Sequence, residues 1–184
     1  MPVTIAPATL RDMTYVAANM READWREIAA VFPGSAGEIA ASLLAASPDL
    51  AWIASFEGNP ACAFGIARLL PGLGSGWAYG TRRLPLVMKT VTRFCLRKVR
   101  PQLLRAGFRR IEVRSALDHD LSHRWLEHLG FAREGVARDY GAGGLDFATY
   151  AATRQRPRGC LTATDSAACG SAAPAMAHSA RPRN

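Results

Sequence analysis

The sequence predicts a single domain of the α/β (α+β) class, in which a mixed central sheet is flanked by helices. The chain has 184 residues, which is enough for one ordinary domain and too few for two comfortable ones. Its 49% hydrophobic and 21% charged residues are typical of a globular protein. Runs with the two-residue period of strands alternate with runs that have the 3.6-residue period of helices.

The N-terminal half begins with a short strand, followed by three helical stretches. Thr9 is placed to cap the first of these helices and Ser35 the third, which ends before Pro48. Two β-rich runs around a turn then predict a hairpin, and a glycine-rich run at 71–76 predicts a tight turn. The predicted elements are strand 3–7, helices 10–20, 21–32 and 36–47, strands 50–56 and 61–70, and strand 77–80.

The C-terminal half is organised around a long helix. Apolar side chains recur at helical spacing over residues 84–106, where Pro101 either kinks the helix or starts a second short one. Alternation predicts a strand over 109–115, and the helix after it stops at Gly130, which can adopt the left-handed conformation. A closing hairpin with a glycine-rich turn is expected over 132–153.

The ends of the chain and its cysteines give further expectations. Residues 154–184 are rich in Ala, Ser, Pro and Arg, which predicts a disordered basic tail after a domain at 1–153. No apolar run approaches the roughly 20 residues of a membrane span, and the first residues lack the pattern of a secretion signal. We therefore expect a cytoplasmic protein without a membrane segment. The four cysteines show no CxxC spacing, so we expect neither a metal site nor a disulfide framework.

The charge is positive and unevenly distributed. The chain carries a net charge of +8, and residues 82–114 contain eleven Lys or Arg against the single acid Glu112. Such an excess attracts nucleotide cofactors, nucleic acid or acidic partners. Nucleic acid is the less favoured partner, because the basic strip on the long helix has no exposed aromatic side chains between its cations. That strip consists of Lys89, Arg93, Arg97 and Arg100.

The run SHRWLEHLGFAREG, residues 122–135, carries a family resemblance. A helix that ends in LGF before a final hairpin is similar to the ending of the GNAT N-acetyltransferase fold, which the region 3–152 resembles in its order of elements. The wider run 110–135 is similar to the GNAT-like proteins of short-tailed bacteriophages, which include acetyltransferases and internal virion proteins. The resemblance implies an N-acyltransferase that takes acetyl-CoA and an amine substrate. The alternative is a non-catalytic virion or assembly protein whose partners are other phage proteins.

The resemblance also implies a cofactor site. In catalytic members, a glycine-rich loop between the central strand and the long helix holds the pyrophosphate of acetyl-CoA with its backbone N–H groups. The equivalent segment here has one glycine, so cofactor contacts are expected at Gly80, Thr81, Arg82 and Arg83, with arginine charge in place of a glycine nest. The alternative is a basic, solvated start of the helix.

The catalytic residues are less defined. Many catalytic members carry a tyrosine four residues before the glycine of LGF, and that position here is Leu126, which cannot donate a proton. Weak acid–base candidates are Tyr79, Glu112 and His123, with Glu57 as a further possibility on the predicted strands.

Four polar residues cluster where the LGF helix begins: Asp118, His119, Asp120 and His123. The two histidines are four residues apart, which suits a proton relay or a weak metal site. The alternative is an exposed helix N-terminus capped by Asp120 or Ser122.

Overall fold

The computed structural model describes residues 2–154, so the expected tail lies outside the described residues except for Arg154. The helices are α1 Leu10–Ala18, α2 Glu22–Val31, α3 Ala36–Ala46, α4 Leu84–Phe94, α5 Arg100–Arg105 and α6 Asp120–His128. The strands are β1 Val3–Pro7, β2 Ala51–Phe56, β3 Asn59–Leu70, β4 Leu73–Gly80, β5 Arg110–Ala116, β6 Ala132–Gly141 and β7 Leu145–Thr153.

Within this described part, the strands form one mixed seven-stranded sheet in the order β1-β2-β3-β4-β5-β7-β6. β4 and β5 are parallel, and the other neighbouring pairs are antiparallel. The long helical connection from β4 to β5 is what allows these two strands to run in the same direction. The predicted fold class, a mixed central sheet flanked by helices, is confirmed.

The two faces of the sheet bury separate apolar clusters. Alternation along β2 sends Trp52 and Ala54 to one face and Ile53 to the other. Helices α4 and α5 cover the first face, and α1 and α3 cover the second. A third cluster, of Leu126, Ala148 and Tyr150, lies beneath α6.

The predicted helix caps on α1 and α3 are present. Thr9 accepts a hydrogen bond from the backbone N–H of Asp12, and Ser35 forms a reciprocal capping box with Glu38. Hydrogen bonds from the backbone N–H and the hydroxyl of Ser35 lower the pKa of the Glu38 carboxyl.

The prediction of a glycine-rich turn at 71–76 was wrong for most of that run. β4 already begins at Leu73, so Gly74 and Gly76 lie in the strand. Neither position has room for a side chain. A Cβ at Gly74 would lie 2.7 Å from Ile66 Cγ2, and one at Gly76 would lie 2.9 Å from Val113 Cγ2. The glycines therefore allow close packing of β4, and the turn is confined to the residues before Leu73.

The long helix is interrupted near Pro101. The stretch expected as one helix consists of α4, a π-helical segment Cys95–Val99 and α5, which has its proline in the first turn. Proline has no N–H and its ring clashes with the carbonyl four residues earlier, which the wider π turn accommodates. Pro101 lies in the first turn of α5, and the backbone stays helical from α4 through the π-helical segment into α5.

The end of α6 follows the expected geometry. Gly130 has φ of 91°, and the N–H of Phe131 donates to the Leu126 carbonyl at 3.0 Å. Trp125 Nε1 donates to Thr92 Oγ1 at 3.0 Å, which ties α6 to α4 on the same face of the sheet. The LGF run thus stops the helix and fixes its position.

The packing of β4 predicts that Gly74→Ala destabilises the fold, although alanine is normally the better strand residue. The added methyl would meet Ile66, Phe108 and Ile111, so the expected loss is about 1–3 kcal/mol in the free energy of unfolding. Gly135→Ala is the matched control, because its Cβ would find only Thr149 Oγ1, at 3.6 Å. Urea denaturation of both variants measures this, and equal stabilities would contradict it.

Candidate functional site

The sheet opens between β4 and β5. In the described residues these strands are paired over Leu73–Ser75 and residues 110–112, yet β4 stays paired with β3 as far as Gly80 and β5 stays paired with β7 as far as Ala116. Because the two strands separate beyond Ser75, they leave a gap in the middle of the sheet. We call this gap the β4–β5 opening.

One face of β4 along this opening carries only small side chains. Gly74, Gly76, Ala78 and Gly80 alternate with Trp77 and Tyr79, which face the α1–α3 side. Ala78 is exposed although β4 is the fourth of the sheet's seven strands. An exposed residue at the centre of a sheet means that nothing in the described part of the chain fills the space beside it.

Helix α2 lies across the β4–β5 opening and contacts both of its strands. Asp24 Oδ2 accepts from the Gly80 N–H at 2.8 Å, and the Arg21 N–H donates to the Gly80 carbonyl at 2.9 Å. Towards β5, Glu27 Oε2 accepts from the Ser115 hydroxyl at 3.2 Å. Arg26 hydrogen-bonds Asp118 just beyond β5 and lowers the pKa of that carboxyl.

These contacts of α2 are polar. Asp24 is 6% exposed and is the one buried residue that the structure describes in this helix. Its carboxylate is satisfied by the Gly80 N–H and by Arg21 Nε, which lies 2.8 Å from Oδ1. Trp25, by contrast, is 46% exposed. Charge and hydrogen bonding, with little apolar burial, therefore hold α2 over the opening.

His119 completes the set of polar groups at the end of β5. Its Nδ1 lies 2.8 Å from Glu27 Oε2, and its side chain is 12% exposed. The other ring nitrogen, Nε2, is buried and has no hydrogen-bond partner among residues 2–154. Asp24 thus bonds to the end of β4, and Glu27 bonds to Ser115 and His119 at the end of β5.

The four predicted cofactor residues form the tight connection between β4 and α4. Its backbone N–H groups are largely used within the protein, since Thr81 donates to the Ala61 carbonyl at 2.9 Å and Gly80 donates to Asp24. The N–H of Arg83 is 3.2 Å from Thr81 Oγ1. The side chains of Arg82 and Arg83 are exposed. Any phosphate here would be held by guanidinium groups, and the assigned binding role stays a prediction.

The predicted acid–base residues lie in different surroundings. Tyr79 is buried, stacks on Trp77 and donates its hydroxyl to the Met13 carbonyl at 3.4 Å. Burial raises the pKa of this phenol well above its usual range. Glu112 is paired with Arg110 at 2.7 Å. Catalytic roles for both stay predictions.

His123 and Leu126 belong to the packing of α6. Nε2 of His123 lies 3.0 Å from the Ala116 carbonyl, and its ring lies 5.5 Å from that of Tyr150. Leu126 is buried against Ala148 and Tyr150, so this position, where the resemblance implied a tyrosine, serves packing. The catalytic role of His123 stays a prediction.

Of the remaining candidates at the start of α6, Asp118 forms an ion pair with Arg26, and none caps the helix. His119 is the first flanking residue of α6, and no side-chain cap bond is present at that described terminus, so neither Asp120 nor Ser122 caps it. Glu57 has φ of 51° and lies in the turn between β2 and β3. No group of three or more metal-ligating side chains occurs within residues 2–154.

Sequence patterns missed the role of α2. Asp24 and Glu27 are three residues apart and so lie on one helix face, which Ile28 shares. Carboxylates on the inward face of a helix were the available signal, because burial of a charge requires a partner. The partners come from β4 and β5, more than fifty residues away in the chain.

A cationic groove lies between α4 and α6. It is open, has a volume of about 370 Å³ and is lined by Lys89, Arg93, Arg97 and His128.

No single helix in the described range has the length and hydropathy of a membrane span. Helices α2 and α3 have that length and hydropathy only when taken together, as a pair bent by 70°.

Comparison with known proteins defines the fold. No family model and no curated protein sequence matches the chain. A GNAT superfamily phosphinothricin acetyltransferase from Sinorhizobium meliloti, in complex with AcCoA, matches with a TM-score of 0.65 and 19% identity over 83% of this chain and 89% of its own. The fold is that of the GNAT acetyltransferases.

Other solved structures give the same result. The ribosomal-protein-S18-alanine N-acetyltransferase from Escherichia coli matches with a TM-score of 0.62 and 15% identity, over 88% of this chain and 99% of its own. An N-acetyltransferase from Staphylococcus aureus Mu50 matches with a TM-score of 0.60 and 12% identity, over 83% and 99% of the two chains. At these identities the likeness is one of GNAT fold.

The contacts of Asp24 predict a stability effect on this GNAT fold. Asp24→Ala leaves the buried Gly80 N–H without its acceptor, so we expect a loss of about 1–3 kcal/mol in the free energy of unfolding. Glu22→Ala is the control, because Glu22 is an exposed carboxylate in the same turn and its loss should change stability by less than about 0.5 kcal/mol. Thermal or urea unfolding that finds the two variants equally stable would rule out the Asp24 contact as a structural tie.

Proposed function

We propose that this chain is an acyl-CoA-dependent N-acyltransferase, which transfers an acyl group from acetyl-CoA to an amine. The observation that carries the proposal is the β4–β5 opening, with Ala78 exposed at the centre of the sheet. A molecule can lie against β4 at Ala78, because this position is exposed and carries only a methyl group. The GNAT acetyltransferase fold of the matched structures supports the same assignment.

The residues present fit acetyl-CoA. They differ in one respect from the pattern that the resemblance implies, because arginine side chains would bind the phosphates in place of backbone amides. The exposed position at Ala78 leaves room for the extended arm of the molecule, and Arg82 and Arg83 offer charge for its phosphates. Backbone amides at Gly80 and Thr81 are used by Asp24 and Ala61, so side chains take over the binding of phosphate. Bound acetyl-CoA supplies a thioester as the acyl donor.

Proton transfer to the departing sulfur falls to water or to a group other than Leu126. Leu126 has no proton to give, and the hydroxyl of Tyr79 is engaged with the Met13 carbonyl. A raised pKa makes that phenol a weaker acid as well. The protein's own contribution is therefore the orientation of the two substrates and the removal of a proton from the amine.

Three finer expectations from the sequence concern the location of the protein, its origin and an alternative role. A cytoplasmic location goes with this function, because an acyltransferase needs a supply of acyl-CoA. The phage origin and the non-catalytic virion role stay predictions from the run at 110–135, and the matched acetyltransferases lend them no support.

Isothermal titration with acetyl-CoA tests the proposal, and Ala78→Leu locates the site. A larger side chain at this exposed position fills the β4–β5 opening, so the dissociation constant should rise at least about tenfold, or roughly 1.4 kcal/mol. Ala6→Leu, an exposed alanine on edge strand β1, is the control and should bind like the wild type. No binding by the wild type at millimolar acetyl-CoA would overturn the proposed function.

The phosphate contacts give an independent prediction. Arg82→Gln and Arg83→Gln should each weaken acetyl-CoA binding by about 0.5–1.5 kcal/mol, and the deficit should shrink as added salt screens the charges. Arg105→Gln, at the far end of α5, removes the same charge and should leave affinity unchanged. Titrations at low and high ionic strength measure this, and an Arg105 variant that weakens as much would indicate a non-specific charge effect.

A further inference from the structure

The contact between Glu27 and His119 joins α2 to the residues just after β5 and leaves one nitrogen of the His119 ring without a partner in the described chain. We propose that His119 Nε2 is the general base that accepts a proton from the amine substrate, and that Glu27 is the positioning residue that orients the ring. This inference rests on the proposed N-acyltransferase function. It is carried by the geometry of three side chains at the end of β5: Glu27, Ser115 and His119.

The contacts determine which nitrogen of His119 is basic. Glu27 Oε2 lies 2.8 Å from Nδ1, and an ionised carboxylate can only accept a hydrogen bond. Nδ1 therefore carries the ring proton when the imidazole is neutral, which leaves the lone pair on Nε2. A carboxylate behind Nδ1 is the general arrangement that orients a catalytic histidine and stabilises its charged form.

The same contacts argue against a serine nucleophile. The Ser115 hydroxyl donates to Glu27 Oε2 at 3.2 Å, so its proton points at the carboxylate and not at His119 Nε2. A nucleophilic serine would need the histidine as its hydrogen-bond partner. Ser115 instead helps to fix the position of Glu27.

The hydrogen bonding of Nε2 distinguishes His119 from His123. Nε2 of His119 is buried without a partner in the described chain, whereas Nε2 of His123 is 3.0 Å from the Ala116 carbonyl. Buried polar atoms without partners are rare in proteins and each requires an explanation. A nitrogen kept for a substrate proton explains this one.

The pair of Glu27 and His119 lies beside the β4–β5 opening. Ser115 lies beyond Glu112, the last residue of β5 that pairs with β4, so the pair borders the open part of the sheet. Helix α2 carries Glu27, the partner of the His119 ring, and its attachment through Asp24, Arg26 and Glu27 is polar. Elements with few buried apolar contacts open locally at low free energy, so a shift of α2 admits the amine.

The proposed reaction joins the amine to the acyl group and moves one proton through His119. The amine nitrogen forms a bond to the acyl carbon while the bond from that carbon to sulfur breaks, and His119 Nε2 takes the proton that the nitrogen loses. The imidazolium is stabilised by Glu27 and returns its proton to water or to the departing thiolate. The products are an amide and a free thiol, and the ring is neutral again.

The activity test uses acetyl-CoA with a mixture of free amino acids and short peptides as acceptors, and mass spectrometry detects the acetylated products. His119→Gln and His119→Ala should lower the rate of transfer by at least about 100-fold, and added imidazole should partly rescue His119→Ala. Their acetyl-CoA dissociation constants should stay within about twofold of the wild type. His128→Gln, on the exposed end of α6, is the control and should retain full activity.

A second measurement determines which nitrogen of the His119 ring carries the proton. Nitrogen-15 NMR of the neutral His119 ring should find the proton on Nδ1 in the wild type and in Glu22→Ala, and a shift of the proton towards Nε2 in Glu27→Ala. A structural role alone would not move the tautomer. A wild-type ring protonated at Nε2 would overturn the inference.

The outcomes separate the inference from the function on which it rests. Wild-type binding and transfer that persist in His119→Gln would overturn the role of His119 and leave the acyltransferase standing. Failure of the wild type to bind acetyl-CoA would overturn the proposed function and, with it, this role. Loss of transfer with unchanged binding, rescued by imidazole, is the result expected.

Discussion

The polar attachment of α2 across the β4–β5 opening is the interaction on which the rest of the site depends. Asp24 ties the helix to the end of β4, and Glu27 ties it to Ser115 and His119 at the end of β5. A parallel pair of strands that separates would expose unpaired backbone groups at the centre of the sheet. The carboxylate of Asp24 and the backbone of Arg21 satisfy those groups at Gly80.

The same attachment explains both the shape and the chemistry of the site. Because α2 is held by charge and hydrogen bonds, its Trp25 is left half-exposed and the helix adds little to the apolar core. The core lies instead under α4 and α5 on one face and under α1 and α3 on the other. The apolar core of the fold therefore lies mainly outside the segment that covers the opening.

Much of the fold could be predicted from the sequence because its signals are local. The cap at Ser35, the stop at Gly130 and the alternation of β2 each depend on a few neighbouring residues. The glycines of β4 were misjudged, since the reason for Gly74 is its contact with Ile66, Phe108 and Ile111. Contacts between distant segments leave no periodic pattern in the chain.

The contacts of the site also join distant segments and therefore could not be predicted from local patterns. Gly80 to Arg83 were predicted as cofactor residues because they follow a strand and precede a helix, but the bond from Gly80 to Asp24 joins residues 56 positions apart. His119 was predicted as one of four polar residues at a helix start, where it was paired with His123 as a proton relay or a weak metal site. Its pairing with Glu27 joins residues 92 positions apart and could not be seen before the chain was folded.

The central claim is that acetyl-CoA binds in the β4–β5 opening of a functional GNAT-fold acyltransferase. The most direct measurement is an NMR titration of the full chain with acetyl-CoA, with the backbone amide signals assigned. Saturable shifts should concentrate at Gly76, Ala78 and Thr81 on β4 and its connection to α4, and at Ser115 on β5. Shifts confined to the basic groove around Arg93 and Arg97, or no shifts at millimolar acetyl-CoA, would contradict the claim.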